Sequence, residues 1–366
     1  MKVMHLVPIL KPGGAPINIL RFASKSNFKN ILLSKSYSSE LIKDAKKHTV
    51  YYDVDLSKPS VISFFKILVI LANEKPDIVH TNGKSGLFYG VLLSLILKLF
   101  SIGLVHTYRG FYVHHGKWNK VHCATEKLYL YLVNTAICVS PSEKENVIKS
   151  LVVNASLSKK LKVIPNGIPK PINERRVLVS EVCKKYEINF VSFSRINYQK
   201  DIFKLIKVFE MIYQDGFALH IFGGKTEKDA GYYNSVVKYI DSLAIKEHIF
   251  LWGDFENASS VLHFFDIYMS TAIFEGLPTA IIEAGLVGLP VVATPCVGNV
   301  DLVNARTGYL ASTFEVQDIH KELSQCLVYM GQTSQKIKIE EMKRLCNSFS
   351  IENNVRNIES IYSRLM

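Results

Sequence analysis

The stretch Ser270–Pro290 reads STAIFEGLPTAIIEAGLVGLP. A strand-like run, Phe265 to Met269, leads into it. A short loop then carries Glu275, Gly276, Leu277 and Pro278, and a helical pattern over Thr279 to Val287 is closed by Gly288 and Pro290. Thr279 reads as the N-cap, and Pro278 stands where helix entries tolerate proline. A helix that starts here offers unpaired backbone N–H groups and the positive end of its dipole, a seat for phosphate oxygens. Glu275 lies just before the first turn and Glu283 just inside it, with seven residues between them. Carboxylates are poor ligands for a phosphate but good acceptors for hydroxyl groups. A sugar nucleotide has hydroxyls on both sides of its diphosphate. The plainer alternative is a solvated helix with two incidental glutamates.

A second cluster of chemistry lies upstream. Phe190 to Ser194 reads as a strand, and the loop after it carries Arg195 and Lys200 before a helix from Ile202. Two cations five residues apart at a strand end can meet both phosphates of a diphosphate. They would also neutralise charge building on a departing nucleoside diphosphate. A surface pair of cations is the alternative. At the start of the chain, residues 1–10 read as a buried strand rather than a signal peptide, and Pro12-Gly13-Gly14-Ala15-Pro16 as a glycine-rich turn before a helix over Ile17 to Ala23. A strand–glycine turn–helix puts backbone N–H groups at a strand's carboxyl end, where open α/β sheets bind ligands.

The 366 residues suit two domains, and 48% hydrophobic content can pack both. The formal charge of +12 fits nucleic acid, an anionic membrane or phosphorylated substrates. Basic residues are scattered rather than interleaved with aromatics, which disfavours nucleic acid. Six cysteines without close pairing suit a reducing cytoplasm. Gly86 to Val105 is almost uncharged and approaches the length of a membrane span, but Gly103 and the β-branched end point to a buried helix followed by a strand; a membrane-grazing helix is the second reading. Asp53-Val54-Asp55 reads as turn and cap residues rather than a metal site, with a helix starting at Lys58-Pro59. Ser142 reads as the cap of a helix with Glu143 and Glu145 in its first turn. His114, His115, His122 and Cys123 match no metal-ligand spacing, and Lys117, Trp118 and Lys120 suit an acceptor-side or membrane-facing loop.

These motifs resemble the retaining glycosyltransferases of family 4, the group 1 glycosyltransferases. The family form is S–x–x–E–G–x–P, a helix with a second Glu, then G–x–P–V–V–A–T. Here Ser270 stands five residues before Glu275-Gly276-Leu277-Pro278, followed by Glu283-Ala284 and Gly288-Leu289-Pro290-Val291-Val292-Ala293-Thr294. Lys75-Pro76-Asp77-Ile78-Val79-His80, the run Val163-Ile164-Pro165-Asn166-Gly167-Ile168 and Thr307-Gly308-Tyr309-Leu310 resemble further family segments. Four departures stand out. Pro16 occupies a usual Glu position. Arg109 stands where many members have the His of T-x-H-G-F, with His106 three residues earlier. Ser194 and Asp201 replace glycines around Arg195 and Lys200, and Lys225 replaces an acid after Gly223-Gly224.

The resemblance implies a GT-B fold, two Rossmann-like doubly wound parallel-sheet α/β domains facing across a cleft. The expected division is 1–168 on the acceptor side, 169–349 for the nucleotide sugar, and a helix over 350–366 crossing back. It further implies Glu275 as the catalytic-site acid on the donor sugar hydroxyls and Glu283 on the ribose. Arg195 and Lys200 take the diphosphate. Gly276, Leu277, Pro278 and Thr279 form the phosphate turn, Phe255 lies near the base, and Gly13 and Gly14 approach phosphate or acceptor. Arg109 and His106 are assigned to the acceptor side. The implied reaction is retaining, metal-independent and cofactor-free transfer from a nucleotide-diphosphate sugar, a UDP-sugar by expectation, to a glycan or lipid-linked saccharide. Bacterial surface polysaccharide or lipopolysaccharide O-antigen synthesis is the expected setting. The expected location is the cytoplasm, with peripheral attachment to the inner face of an anionic membrane. A non-catalytic sugar-nucleotide-binding subunit, or a glycosidase using Glu275 and Glu283, stays open as an alternative.

Overall fold

Strands and helices alternate along the chain in the computed structural model. It describes residues 1–10, 14–113, 119–170, 172, 176–225, 229–255 and 258–366. Two units emerge: Met1–Ile168 with Phe349–Met366, and Pro169–Ser348.

The first unit runs β1 (Lys2–Leu10), α1 (Gly14–Lys25), β2 (Lys29–Ser36), α2 (Ser39–His48), β3 (Val50–Asp53), α3 (Val61–Glu74) and β4 (Ile78–Asn82). It continues with α4 (Gly83–Leu99), β5 (Gly103–Thr107), α5 (Asn119–Leu132), β6 (Thr135–Cys138), α6 (Pro141–Leu151), α7 (Ala155–Ser158) and β7 (Leu161–Val163). Seven parallel strands lie in the order β3-β2-β1-β4-β5-β6-β7. Both faces are covered, so the central strands β4 and β5 are buried at every position rather than alternately. The two-residue period sorts side chains between layers. Met4, Ile31 and Val79 pack under α3 to α6 with Ile67, Leu93 and Val147. Val3, Ile78 and Val105 face the other way, onto Phe22 of α1 and onto Ile358 and Tyr362 of the C-terminal helix Ile351–Ser363. Gly90 lets α4 approach α5: a Cβ there would stand 2.0 Å from the Tyr129 hydroxyl.

The second unit holds α8 (Val177–Cys183), β8 (Ile188–Phe193), α9 (Ile202–Ile212), β9 (Phe217–Phe222), α10 (Ala230–Asp241), β10 (Ile249–Gly253) and β11 (Ile267–Ser270). Then come α11 (Thr279–Val287), β12 (Val291–Ala293), α12 (Asn299–Leu302), β13 (Tyr309–Leu310), α13 (Val316–Val328) and α14 (Thr333–Asn347). Six parallel strands lie in the order β10-β9-β8-β11-β12-β13. In each sheet the strand order reverses once, between β1 and β4 and between β8 and β11. Ligands of open α/β sheets bind outside the carboxyl ends at such a reversal.

Some local expectations hold and others change. The apolar run 86–105 divides into α4 and β5, and no helix among the described residues is long and apolar enough to cross a membrane. The helix expected from Lys58 starts at Val61, because the Ser60 side chain accepts from the Ser63 N–H and caps it. Asp55 accepts from the Ser57 N–H at 2.8 Å, a turn bond, while Asp53 pairs with Lys35 at 3.1 Å. Ser140, not Ser142, caps α6, since Pro141 fits the first helical position and Ser140 Oγ accepts from the Glu143 N–H. Thr279 is likewise not a cap: Pro278 takes that place without a side-chain bond, and Thr279 opens α11. A helix that the sequence did not suggest, α8, precedes β8.

Candidate active site

In the second unit, four loops leave the carboxyl edge of the sheet beside the β8/β11 reversal. The loop after β8 carries Arg195 and a short 3-10 turn, Tyr198–Lys200, capped by Asn197. The loop after β11 carries Glu275. Hydrogen bonds lash the two together. Ile273 N donates to Gln199 O at 2.9 Å, and Gln199 Nε2 donates to Phe274 O at 2.9 Å. Thr271 Oγ1 shares its one proton between the carbonyls of Lys200 and Asp201, each at 3.0 Å. The result is an ion pair between Lys200 Nζ and Glu275 Oε1, with the two side chains only 20% and 12% exposed. An ammonium has three donors, so two remain for a ligand. Arg195 is half-buried on the same loop and makes no side-chain bond among the described residues.

Two glycines hold this edge together. Gly223, at φ +147°, ends β9 against the β8 loop, where a Cβ would stand 2.0 Å from the Ser194 carbonyl oxygen. Gly298, at φ +86°, lies under the β11 loop, where a Cβ would stand 2.7 Å from the Gly276 carbonyl oxygen. Both contacts are with backbone, so only glycine fits. Gly276, Leu277 and Pro278 are buried beside them, and the first turn of α11 leaves the N–H groups of Thr279, Ala280 and Ile281 outside the helix ladder. Glu283 is half-buried on α11. Phe255 packs edge-on against Phe222 at 5.1 Å, with the Arg176 guanidinium 5.5 Å from its ring. Beneath it Phe222 and Trp252 stack at 5.5 Å, and Trp252 Nε1 donates to His220 Nδ1 at 3.2 Å. That bond leaves His220 Nε2 as the protonated nitrogen, which donates to Asn189 Oδ1 at 3.0 Å. Burial holds His220 down to about 3, so this aromatic floor is neutral.

In the first unit, Arg109 follows β5. Its Nε and Nη2 donate to Asn82 Oδ1 at 3.4 and 3.1 Å, and its Nη1 to Asn166 Oδ1 at 2.5 Å. Both acceptors are neutral carboxamides, and among the described residues two of the five guanidinium N–H bonds have no acceptor. Burial lowers Arg109 to about 10, so it is charged at neutral pH. His106 is a correction. It is 1% exposed, with Nδ1 against Thr81 Oγ1 at 2.9 Å and its ring edge-on to Tyr108 and Tyr129. One residue's shift along β5 decides which face a side chain takes, and His106 faces the core rather than an acceptor. Gly14 opens α1; Gly13, His114, His115, Lys117 and Trp118 lie outside the described residues. No group of three or more His, Cys, Asp or Glu able to hold a metal ion occurs among the described residues.

The comparisons decide the family. Residues 180–338 match the model described as "Glycosyl transferases group 1", and residues 24–170 match "Glycosyltransferase Family 4". This chain belongs to the family 4, group 1 glycosyltransferases. It is similar to the UDP-Gal:alpha-D-GlcNAc-diphosphoundecaprenol alpha-1,3-galactosyltransferase of Escherichia coli, 26% identical over 83% of this chain and 78% of that one. It is also similar to the phosphatidylinositol N-acetylglucosaminyltransferase gpi3 subunit of Schizosaccharomyces pombe, 24% identical over 86% of this chain and 70% of that one. Among solved structures, Anabaena Alr3699/HepE in complex with UDP-glucose superposes with a TM-score of 0.79, covering 100% of both chains at 17% identity. The fold is GT-B.

The structure of this glycosyltransferase brings Lys200 and Glu275 into contact. It places Arg195 on the Lys200 loop and Gly276 to Thr279 directly after Glu275. It also uses a residue that the sequence placed only in the first turn of a helix. Glu143 is fully buried. Its Oε1 accepts from the Gly110 and Phe111 N–H groups at 2.6 and 3.0 Å, and its Oε2 from Val139 N–H at 2.7 Å. Burial pushes its carboxyl up while these N–H groups and Arg109 pull it down. The carboxylate thus pins the loop that carries Arg109. The pattern Ser140-x-x-Glu143 is a capping-box signal that could have found it. Glu143→Ala leaves three backbone donors without their acceptor and is expected to cost about 3–5 kcal/mol in urea unfolding. A loss under about 1 kcal/mol would remove Glu143 from this role.

The first unit also carries buried histidines with a pH consequence. Burial first, and Arg109 after it, holds His5 down to about 4 and His106 to about 3; His80 is lowered as well. An unfolded histidine, near 6.5, takes up a proton before these do. Their contribution to stability is full above about pH 6.5 and drains away as pH falls toward their folded values. Each adds a slope of about 1.4 kcal/mol per pH unit below that point. Thermal melts should show the midpoint falling between about pH 6.5 and pH 5. A flat midpoint there would mean these imidazoles titrate normally.

Proposed function

We propose that this glycosyltransferase moves a sugar, with retention, from a UDP-sugar to a lipid-linked saccharide acceptor, without a metal ion. The observation that carries the reading is the Lys200–Glu275 pair at the β8/β11 reversal, with Arg195 on the same loop. Two cations there suit a diphosphate, and they meet the charge that develops on the leaving nucleoside diphosphate. Glu275, oriented by Lys200, accepts hydrogen bonds from the donor sugar, and Glu283 from the ribose. The orphan N–H groups of Thr279 to Ile281 reach phosphate oxygens, and Phe255 covers the base. Departure and acceptor attack on one face of the sugar would retain configuration without a protein nucleophile. In the first unit, Gly13 and Gly14 serve phosphate or acceptor. Arg109, pre-aligned by two carboxamides, offers its two uncommitted N–H bonds to an acceptor phosphate. The E. coli relative is named for transfer to a diphosphoundecaprenol-linked GlcNAc, which supports the acceptor class; a role in bacterial surface polysaccharide or O-antigen synthesis is part of the same proposal.

A thermal-shift screen of nucleotide sugars tests the donor, because a ligand that binds the native state raises its stability. Transfer from the stabilising donor to a diphospholipid-linked GlcNAc, with and without a chelator, tests the rest, and the anomeric configuration of the product reads retention. Stabilisation by no UDP-sugar, or an inverted product, would end the proposal. Binding without transfer to any acceptor would favour a non-catalytic subunit.

A further inference from the structure

The solvent sides of α3, α4 and α5 carry an apolar surface that the transfer reaction does not use. These helices cover one face of the first sheet, and α4 packs on α5. The Tyr89 hydroxyl ties α4 to the start of α3, donating to Lys58 O at 2.8 Å and accepting from Ser60 N–H at 3.1 Å. Each helix has a buried inner stripe and an apolar outer one. On α3 the outer stripe is Ile62, Phe65 and Val69; on α4 it is Leu92, Leu95 and Leu99. Leu95 and Leu99 are 75% and 80% exposed, and Ile62 is 71% exposed. The intervals of three and four residues keep each stripe on one helical face. Phe100 extends the α4 stripe, and Leu128 and Tyr131 expose further apolar surface on α5. A soluble monomer rarely leaves apolar stripes of this kind exposed on neighbouring helices.

The charges on this face select the occupant. Lys66, Lys98 and Lys120 are exposed among the apolar residues. The acids of these three helices are Glu74 and Glu126; Glu74 is drawn inward to Lys2 and Lys29, and Glu126 is buried. The exposed face is therefore apolar and cationic, without an exposed acid. A second copy docking by two-fold symmetry would set these lysines against their own kind. An anionic bilayer complements both features, since apolar side chains enter the headgroup boundary while lysines reach lipid phosphates. We propose that the α3–α4–α5 face seats the protein on an anionic membrane surface, lying in the interface without crossing it. The inference stands on these helices and does not require the lipid-linked acceptor.

Flotation of the full chain with vesicles of phosphatidylcholine and phosphatidylglycerol, against phosphatidylcholine alone, tests it. Binding is expected to the anionic vesicles, weakened by salt. The double variant Leu95→Glu/Leu99→Glu should lower the partition coefficient at least about tenfold. Lys66→Glu/Lys98→Glu should lower it on anionic vesicles only. Both pairs are exposed, so the melting temperature and the nucleotide-sugar thermal shift, read without vesicles, should match wild type. Wild-type protein that shows no nucleotide-sugar shift would count against the donor site, not this surface. Wild-type protein that stays unbound, or variants that bind equally well, would overturn the proposal. So would a dimer in vesicle-free sedimentation that Leu95→Glu/Leu99→Glu dissolves.

Discussion

Lys200→Ala is expected to lower sugar transfer by about 100- to 1,000-fold, the scale on which single groups stabilising a developing anion are felt. The loss has two sources. The variant removes a cation from the diphosphate seat. It also leaves Glu275, 12% exposed, without its partner, so the acid is no longer held toward the donor sugar. Glu275→Gln separates the two. It keeps Lys200 and should retain UDP binding, while transfer falls steeply because the amide presents donors where the carboxylate accepted. Lys200→Ala should weaken UDP binding as well as transfer. Calorimetric UDP titration beside single-turnover transfer reads both. Transfer within about threefold of wild type in Lys200→Ala would remove this pair from the mechanism.

Gly223→Ala should be the most damaging small substitution in the second unit. The added carbon would lie 2.0 Å from the Ser194 carbonyl oxygen, 2.6 Å from its carbon and 3.1 Å from Arg195 N, at a φ of +147°. These neighbours are backbone and cannot rotate away. The ends of β8 and β9 must separate, breaking bonds such as Ser194 N to Phe222 O at 2.8 Å and Gly223 N to Gly253 O at 2.7 Å. The expected cost is about 2–4 kcal/mol, with Arg195 displaced and UDP affinity reduced. Gly231→Ala is the control. It sits in α10 with nothing within 4 Å of the added carbon, and should be neutral or stabilising by up to about 1 kcal/mol. Equal urea midpoints for the two variants would mean the β8–β9 edge tolerates what the geometry forbids.

Elements with a strong local signal were legible in the sequence. The bounds of α11 follow from a proline at its entry, an apolar run and Gly288 in the left-handed conformation at its end. The division of 86–105 into α4 and β5 follows from Gly103 and the β-branched end. By contrast α2, SELIKDAKKH, is short and mostly charged or polar and buries only Ala45, so few apolar residues mark it in the sequence. The site followed the same division. Arg195, Lys200 and Glu275 announce themselves because charges at strand ends have no packing reason to be there. His106 and Glu143 misled because local sequence does not say which face of a strand meets the core, or which helix start is covered by a neighbouring loop.

By itself, then, the sequence determined the alternating α/β class, the glycine-rich turns, and the residue types able to meet a diphosphate and sugar hydroxyls. Those follow from short-range rules: periodicity, capping and turn chemistry. Only the tertiary structure decided the order of strands in each sheet, and with it the reversal that sets β8 beside β11. That pairing brings Lys200 to Glu275 across 75 residues. It also left the outer stripes of α3 and α4 uncovered. Such contacts depend on which surfaces remain to be buried once the strands have paired, and a sequence window does not carry that information.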